Sequence, residues 1–323
     1  MSLLSSSSFS FSFSFPLSCV LVSFFFLFFS FDFFFLFFLV GVYLRDYSKV
    51  GGQPVSQFGS YGEGDGQFNR PYSVACNSRG EIIVADESNH RILVFDRNCQ
   101  FLFKFGSQGN GNGQFYHPRG VTVDPLKNDR ILVADTSNHR IQIFDEKGTF
   151  LHVFGSEGKS DGQFTHPSSV VVSLQGTYVV TDSANHRVQI FNPSRQFVRK
   201  FGSYGEGNGQ MNYPFGVGIL SNENIVMSEW EGNRLQILDS RGNFVRIVGA
   251  GQVKGAYHLF VDSDDNILVA DQNNHRIQVF HQNGNHIKTI GAGQISYSLG
   301  VCMDREGRII VTEGGDAHRI SIF

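Results

Sequence analysis

The chain has 323 residues, room for one large domain or two ordinary ones, and its 26 Lys and Arg stand against 29 Asp and Glu. That mildly acidic balance excludes a global attraction for nucleic acid. The four cysteines, Cys19, Cys76, Cys99 and Cys302, are scattered without a C-x-x-C pair, which excludes a zinc module or a disulfide framework and favours a reduced, cytoplasmic setting.

Residues 1–43 are a Phe/Ser-rich apolar segment, unlike the Gly-rich body that follows. From Leu17 to Tyr43 only Asp32 interrupts an apolar run long enough to span a bilayer as a helix. Arg45 and Lys49 follow the run and no Lys or Arg precedes it. An anchor here would therefore leave the body facing the cytoplasm. No basic start and no small-residue cleavage site mark a signal peptide. Between Ser2 and Phe38 nearly every residue is Ser, Phe, Leu or Pro, and these four share codons that begin with two pyrimidines. A translated polypyrimidine tract, with true upstream exons missing, is the first reading of that composition, a membrane anchor the second and a disordered extension the third. Residues 44–54 read as a linker, with the folded part beginning near residue 51.

The body repeats itself, which is the first thing to establish about any such chain. Asp86-x-x-Asn89-His90-Arg91 recurs as Asp135-x-x-Asn138-His139-Arg140, Asp182-x-x-Asn185-His186-Arg187 and Asp271-x-x-Asn274-His275-Arg276. Two degenerate copies, Glu229 with Asn233 and Arg234, and Glu313 with His318 and Arg319, bring the number to six. The repeats cover about 58–105, 106–154, 155–201, 202–248, 249–290 and 291–323. Within each, four short β-branched or aromatic runs alternate with turn residues, and none has the length or period of a helix. The expected fold is all-β: a six-bladed propeller of four-stranded antiparallel blades, over residues 55–323. Val55 to Gly59 resembles the fourth strands of other repeats, while the last repeat stops after its third. The N-terminal strand is thus expected to complete the last blade and close the ring.

The order of a Gly-rich loop, Pro-x-Gly-Val, an apolar run ending in Asp, and Asn-His-Arg-Ile-Gln-x-Phe resembles the NHL repeat, from residue 58 to 323. The long copies, such as Gly202 to Gln210, look most like the C-terminal propellers of tripartite-motif NHL proteins. The resemblance implies a binding platform, serving post-transcriptional regulation or recruiting substrates to a ubiquitin ligase. In that family a RING finger, B-boxes and a coiled coil precede the propeller. None is in this sequence, so ligase activity is not assigned.

The repeated Asp, Asn, His and Arg read as architecture, since a catalytic group is expected once rather than in nearly every blade. Asp and Asn suit tight turns, and Arg offers a fork of donors. Candidate ligand contacts lie just before each innermost strand, at the mouth of the channel: Arg70, Tyr72, Tyr116, His117, Arg119, His166, Tyr213, Phe215, Tyr257 and His258. Ser168 and Leu299 occupy the equivalent places in blades 3 and 6. These aromatics either fill the channel mouth or, with Arg and His beside them, stack unpaired bases as single-stranded RNA recognition requires. A protein partner is the other expected ligand. The loops of this face carry Arg70, Arg119, Lys159 and Lys254 against Glu63, Asp65, Glu157, Asp161 and Glu206, which argues against strong phosphate attraction. The competing class is a propeller enzyme resembling the amidating lyases, with zinc held by His117, His166 and His258. No acid, base or nucleophile stands apart from the repeat to serve it. The expectation is a monomeric, non-catalytic domain without metal or cofactor.

Overall fold

A computed structural model describes residues 45–323, and the expectations for residues 1–43 lie outside it. Among the described residues no helix is long and apolar enough to cross a membrane.

Six four-stranded antiparallel sheets account for nearly all regular structure. Blade 2 is representative, with strands Pro118–Asp124, Arg130–Asp135, Arg140–Phe144 and Phe150–Phe154 running from the axis outward. β-Branched and aromatic residues fill the second and third strands, which are buried on both faces because each blade is covered by its two neighbours. Fourth strands lie at the rim and alternate, as Phe101–Phe105 does with its Phe side chains half-buried and Leu102 and Lys104 exposed. The innermost strands are Pro71–Cys76, Pro118–Asp124, Pro167–Val172, Pro214–Ile219, Ala256–Val261 and Ser298–Met303.

Apolar cores lie between blades. Between blades 1 and 2, Ala75, Ile83 and Ile92 meet Phe115, Val121, Ile131 and Phe144. Each large side chain so buried contributes about 1.5 to 3 kcal/mol. One buried anchor from each inter-blade loop, Phe68, Phe115, Phe164, Met211, Val253 and Ile295, enters these layers.

The ring closes as expected. Ser56–Phe58 pairs antiparallel with Arg319–Ile322, in the register Ser56 to Ile322 and Phe58 to Ile320, and Gln57 Nε2 donates to Ser321 Oγ at 2.8 Å. The free thiols Cys76 and Cys302, remote in sequence, touch at 3.5 Å between the innermost strands of blades 1 and 6.

One boundary differs from expectation. The stretch read as a linker is docked from Asp46 onward. Tyr47, in a 3-10 turn over Tyr47–Lys49, is buried and donates its hydroxyl to Asp262 Oδ2 at 2.7 Å. An isolated Tyr among polar residues gives no periodic signal of such docking.

Neighbouring innermost strands approach so closely that glycine is required between them. A Cβ on Gly300 would lie 2.7 Å from the Tyr72 carbonyl oxygen, and one on Gly216 would lie 2.7 Å from the Leu259 nitrogen. Gly300→Ala and Gly216→Ala are each expected to lower stability by about 1 to 3 kcal/mol, read from denaturant midpoints. Gly52→Ala, with nothing within 4 Å, should leave the midpoint unchanged.

Candidate binding face

The face that carries the Gly-rich loops is built from the repeated turn. In blade 1 the second strand ends on buried Asp86, whose Oδ1 accepts the Asn69 N–H at 2.7 Å and whose Oδ2 accepts Asn89 Nδ2 and Arg91 Nε, both at 2.8 Å. The rest of the Arg91 guanidinium donates to the loop carbonyls of Glu63, Gly64 and Gln67. Arg140 does the same to Asn110, Gly111 and Gln114, and Arg187 to Lys159, Ser160 and Gln163. In blade 4 Glu229 takes the acid's place, and Arg234 reaches Glu206, Gly207 and Gln210. Arg therefore ties strand, turn and loop together through one planar fork.

The repeat His links one blade to the next. His90, His139, His186 and His275 sit in the left-handed region at φ of 51° to 55°. Their Nδ1 atoms accept the backbone N–H of His117, His166, Tyr213 and Tyr297 at 2.9 to 3.2 Å. His318 closes the circle by accepting from Arg70 N at 2.9 Å. Blade 4 substitutes Asn233, whose Oδ1 accepts from Gly255 N at 2.7 Å. Accepting at Nδ1 requires a neutral imidazole with its proton on Nε2.

At the axis, four of the expected ligand contacts are packed away. Tyr72, Phe215, Tyr257 and His258 are buried, with ring centroids 5.5 Å apart for Tyr72 and Tyr257 and 4.6 Å for Phe215 and Tyr257. The channel is narrow enough that inward-facing aromatics from opposite blades meet and plug it. Ser168 and Leu299 are buried as well. Arg119 reaches this plug, with its guanidinium 5.2 Å from the Tyr72 ring and 5.8 Å from that of Phe215, a cation held between aromatic faces. Burial, with the Arg119 charge beside it, pushes His258 down to about 3, so its ring is neutral. Tyr72 Oη, Arg119 Nε and His258 Nε2 are buried without a hydrogen-bond partner among the described residues, which suits ordered water at the top of the plug.

Sequence reading missed two parts of this centre. Glu87 is buried with Oε1 3.5 Å from His117 Nδ1 and 3.7 Å from Arg119 Nε, and Oε2 3.7 Å from Arg70 Nη1. Trp230 packs against Phe215 and Tyr257. Both follow the second-strand acid of their blade, where other repeats have Thr136, Ser183, Gln272 and Gly314. A carboxylate at that position in one blade alone was the available signal.

Around the plug the face is open. Arg70, His117 and Tyr213 are half-buried, and His166 is exposed against His139. Tyr116 is 42% exposed beside His90, and three residues not singled out from sequence join it: Tyr61 at 66% beside His318, Tyr204 at 67% beside His186, and Tyr297 at 42% beside His275. His117, His166 and His258, the set considered for zinc, are each engaged separately. Among the described residues no three His, Cys, Asp or Glu side chains converge as ligands.

Four-stranded blades around a plugged axis, latched by an N-terminal strand, define a six-bladed β-propeller. The NHL repeat model matches four of its blades, at residues 68–95, 115–144, 164–191 and 260–280, so the propeller carries NHL repeats. Protein lin-41 of Caenorhabditis elegans is 39% identical over 61 residues, 19% of this chain and 5% of that protein. The E3 ubiquitin-protein ligase TRIM71 of Rattus norvegicus is 51% identical over 51 residues, 16% of this chain and 6% of its own length. The matched stretches thus span about a twentieth of these relatives. Among solved structures, a streptogramin B lyase superposes with a TM-score of 0.59 at 10% identity, covering 83% of this chain and 96% of its own. The gluconolactonase XC5397 of Xanthomonas campestris gives 0.61 at 14%, covering 79% and 86%. At these identities the likeness is one of fold.

Burial holds His90, His186 and His318 below the ordinary value of 6.5. An unfolded chain takes up protons as pH falls through that value while these folded rings stay neutral. Stability is therefore full above pH 6.5 and is lost progressively as pH drops below it toward the folded-state values. Denaturant midpoints measured between pH 7.5 and 5.5 should fall, and His186→Asn, which copies blade 4, should flatten that slope.

Proposed function

We propose that this propeller is a non-catalytic recognition platform of the tripartite-motif NHL type, taking single-stranded RNA across the face of the His ring. The observation that carries the reading is the set of exposed tyrosines, Tyr61, Tyr116, Tyr204 and Tyr297, spaced around that face with Arg70 and Arg119 nearer the axis. Flat aromatic faces held against a histidine lose little side-chain freedom on binding and stack any base. The plug of Tyr72, Phe215, Tyr257 and His258 occupies the position where a channel enzyme would need space for substrate, which supports a binding role over a catalytic one.

Two of the five loop acids counted from sequence are neutralised, because Lys104 pairs with Asp65 at 2.7 Å and Lys200 with Asp161 at 2.6 Å. The face is then close to neutral, with stacking as the main attraction. That same neutrality, combined with exposed Tyr and Arg, favours a protein partner as the second reading.

The Asp46–Phe323 unit should be titrated with a randomised single-stranded RNA pool at several salt concentrations. Binding is expected to weaken about tenfold in Tyr116→Ala, the loss of one stacked base. With Arg70, Arg119, Lys159 and Lys254 as the available cations, the log–log salt slope should be no steeper than about −3. Tyr257→Ala, in the plug, should act through stability instead. Absence of binding at low salt would remove RNA and leave the protein partner.

A further inference from the structure

In blades 1 to 4 the repeat Arg is capped by its own chain, through three main-chain carbonyls of the long loop that precedes the blade. Blade 5 lacks that loop. Gly249 to Ala256 does what Gly202 to Pro214 does in blade 4, with five fewer residues. Among the described residues Arg276 keeps Asp271 at 2.7 Å and a single carbonyl, that of Gln252, at 2.8 Å. Asn89, Asn138 and Asn185 each donate to a loop carbonyl at 2.8 to 3.0 Å, whereas Asn274 meets only Asp271 among the described residues.

The neighbouring glutamine is rearranged as well. Gln142, Gln189 and Gln236 accept a loop Gly N–H at 2.9 to 3.0 Å. Gln278 instead turns its oxygen to His286 Nε2 at 2.8 Å and Thr289 Oγ1 at 2.7 Å, away from the missing loop. What remains is an open groove lined by Asn233, Lys254, Asn274, Arg276, Gln278 and His286. Blade 6 has an equally short loop, but its longer acid, Glu313, takes Arg319 through two bonds of 3.1 Å. Blade 5, with the shorter Asp271, has no such compensation.

We propose that this groove binds a turned, Gly-rich acidic peptide segment of a partner protein, laid in the place of the absent loop. The molecule itself supplies the template. Three times over, in blades 1 to 3, a turned Gly-rich loop sets carbonyls on this same Arg and Asn pair of donors. In blade 4, where Gly232 replaces the Asn, it sets them on Arg234 alone. In blades 1 and 4 the first carbonyl belongs to Glu63 and Glu206. Lys254, exposed at the groove, adds a cation that a carboxylate of the incoming segment would meet. Main-chain carbonyls give the fit to the guanidinium fork, and the acidic side chain gives the charge match. The groove shares Lys254 with the cations of the RNA reading but none of its tyrosines, and does not depend on it.

The probe is the chain's own blade 1 loop as a synthetic peptide, Ser-Tyr-Gly-Glu-Gly-Asp-Gly-Gln-Phe, residues 60–68, fluorescently labelled and titrated by anisotropy into the Asp46–Phe323 unit. Saturable binding is expected, weakened at least tenfold by Arg276→Lys, which keeps the charge and loses the fork, and severalfold by Lys254→Ala. A graft of residues 202–213 in place of 249–255 should cap Arg276 internally, fold with an unchanged circular dichroism spectrum, raise Tm and abolish binding, while Tyr116→Ala binds the peptide as the parent does. Equal binding to the graft, or no binding by the parent, would overturn the proposal. So would displacement of the peptide by inorganic phosphate at equal charge concentration, which would reduce the groove to a simple anion site.

Discussion

The structure depends on a buried carboxylate at the end of each second strand. Asp86, Asp135, Asp182, Glu229, Asp271 and Glu313 are all fully buried, and a carboxylate in such a place is tolerable only when its oxygens are saturated with donors. Each receives an Arg Nε and the backbone N–H of the incoming loop, as Asp182 does from Arg187 and Thr165 at 2.7 Å. Removing one donor leaves the charge uncompensated, which in buried pairs costs about 3 to 5 kcal/mol. Strand, turn and loop must therefore be placed together or not at all. The His adjoining that Arg then carries the same constraint across to the next blade, so six locally determined units become one ring.

Because the lock repeats, departures from it are informative. Glu87 puts an extra acid beside the axis in one blade, and Arg70, Arg119 and His117 gather around it. Asn233 shows that the inter-blade bond needs an acceptor oxygen or nitrogen at that point, not an imidazole as such. The short loop of blade 5 keeps the buried anchor, Val253, but caps its Arg with one carbonyl, that of Gln252, where blades 1 to 4 use three. Packing between blades is thus preserved where loop capping is not, which separates the part of the repeat that holds the ring from the part that closes over Arg.

Much of this was readable from the sequence, for a physical reason. Blade number, strand order and ring closure follow from periodic signals, since each repeat must present the same alternation and the same turn chemistry at the same offset. Of the positions read as lying just before the innermost strands, Arg70, Tyr116, His117, His166 and Tyr213 do, whereas Tyr72, Arg119, Phe215, Tyr257 and His258 lie within them, and their exposure was not legible. Tyr72, Phe215 and Tyr257 come from blades 1, 4 and 5, and whether their rings meet depends on the channel radius, a property of six blades together that no single repeat encodes. The exposed Tyr61 and Tyr204 went unnoticed because they sit inside Gly-rich loops whose composition suggests only flexibility. In the structure these loops are held by their own carbonyls on Arg91 and Arg234, so the tyrosines stand on fixed backbone.

That fixing bears directly on how the face can recognise anything. A loop of Gly62, Gly64 and Gly66 would, unrestrained, lose a large conformational entropy on binding. Capped at three carbonyls and pinned by Phe68, it has already lost that freedom during folding. Tyr61 therefore offers its ring without a further ordering cost. The axial plug acts the same way from the other side, since packed rings at the centre prevent the inner strands from shifting as a ligand arrives. With the axis plugged, the accessible side chains of this face lie at the rim, where exposed tyrosines and the partly capped Arg276 are found, and where each blade can vary its loop without disturbing the ring that supports it.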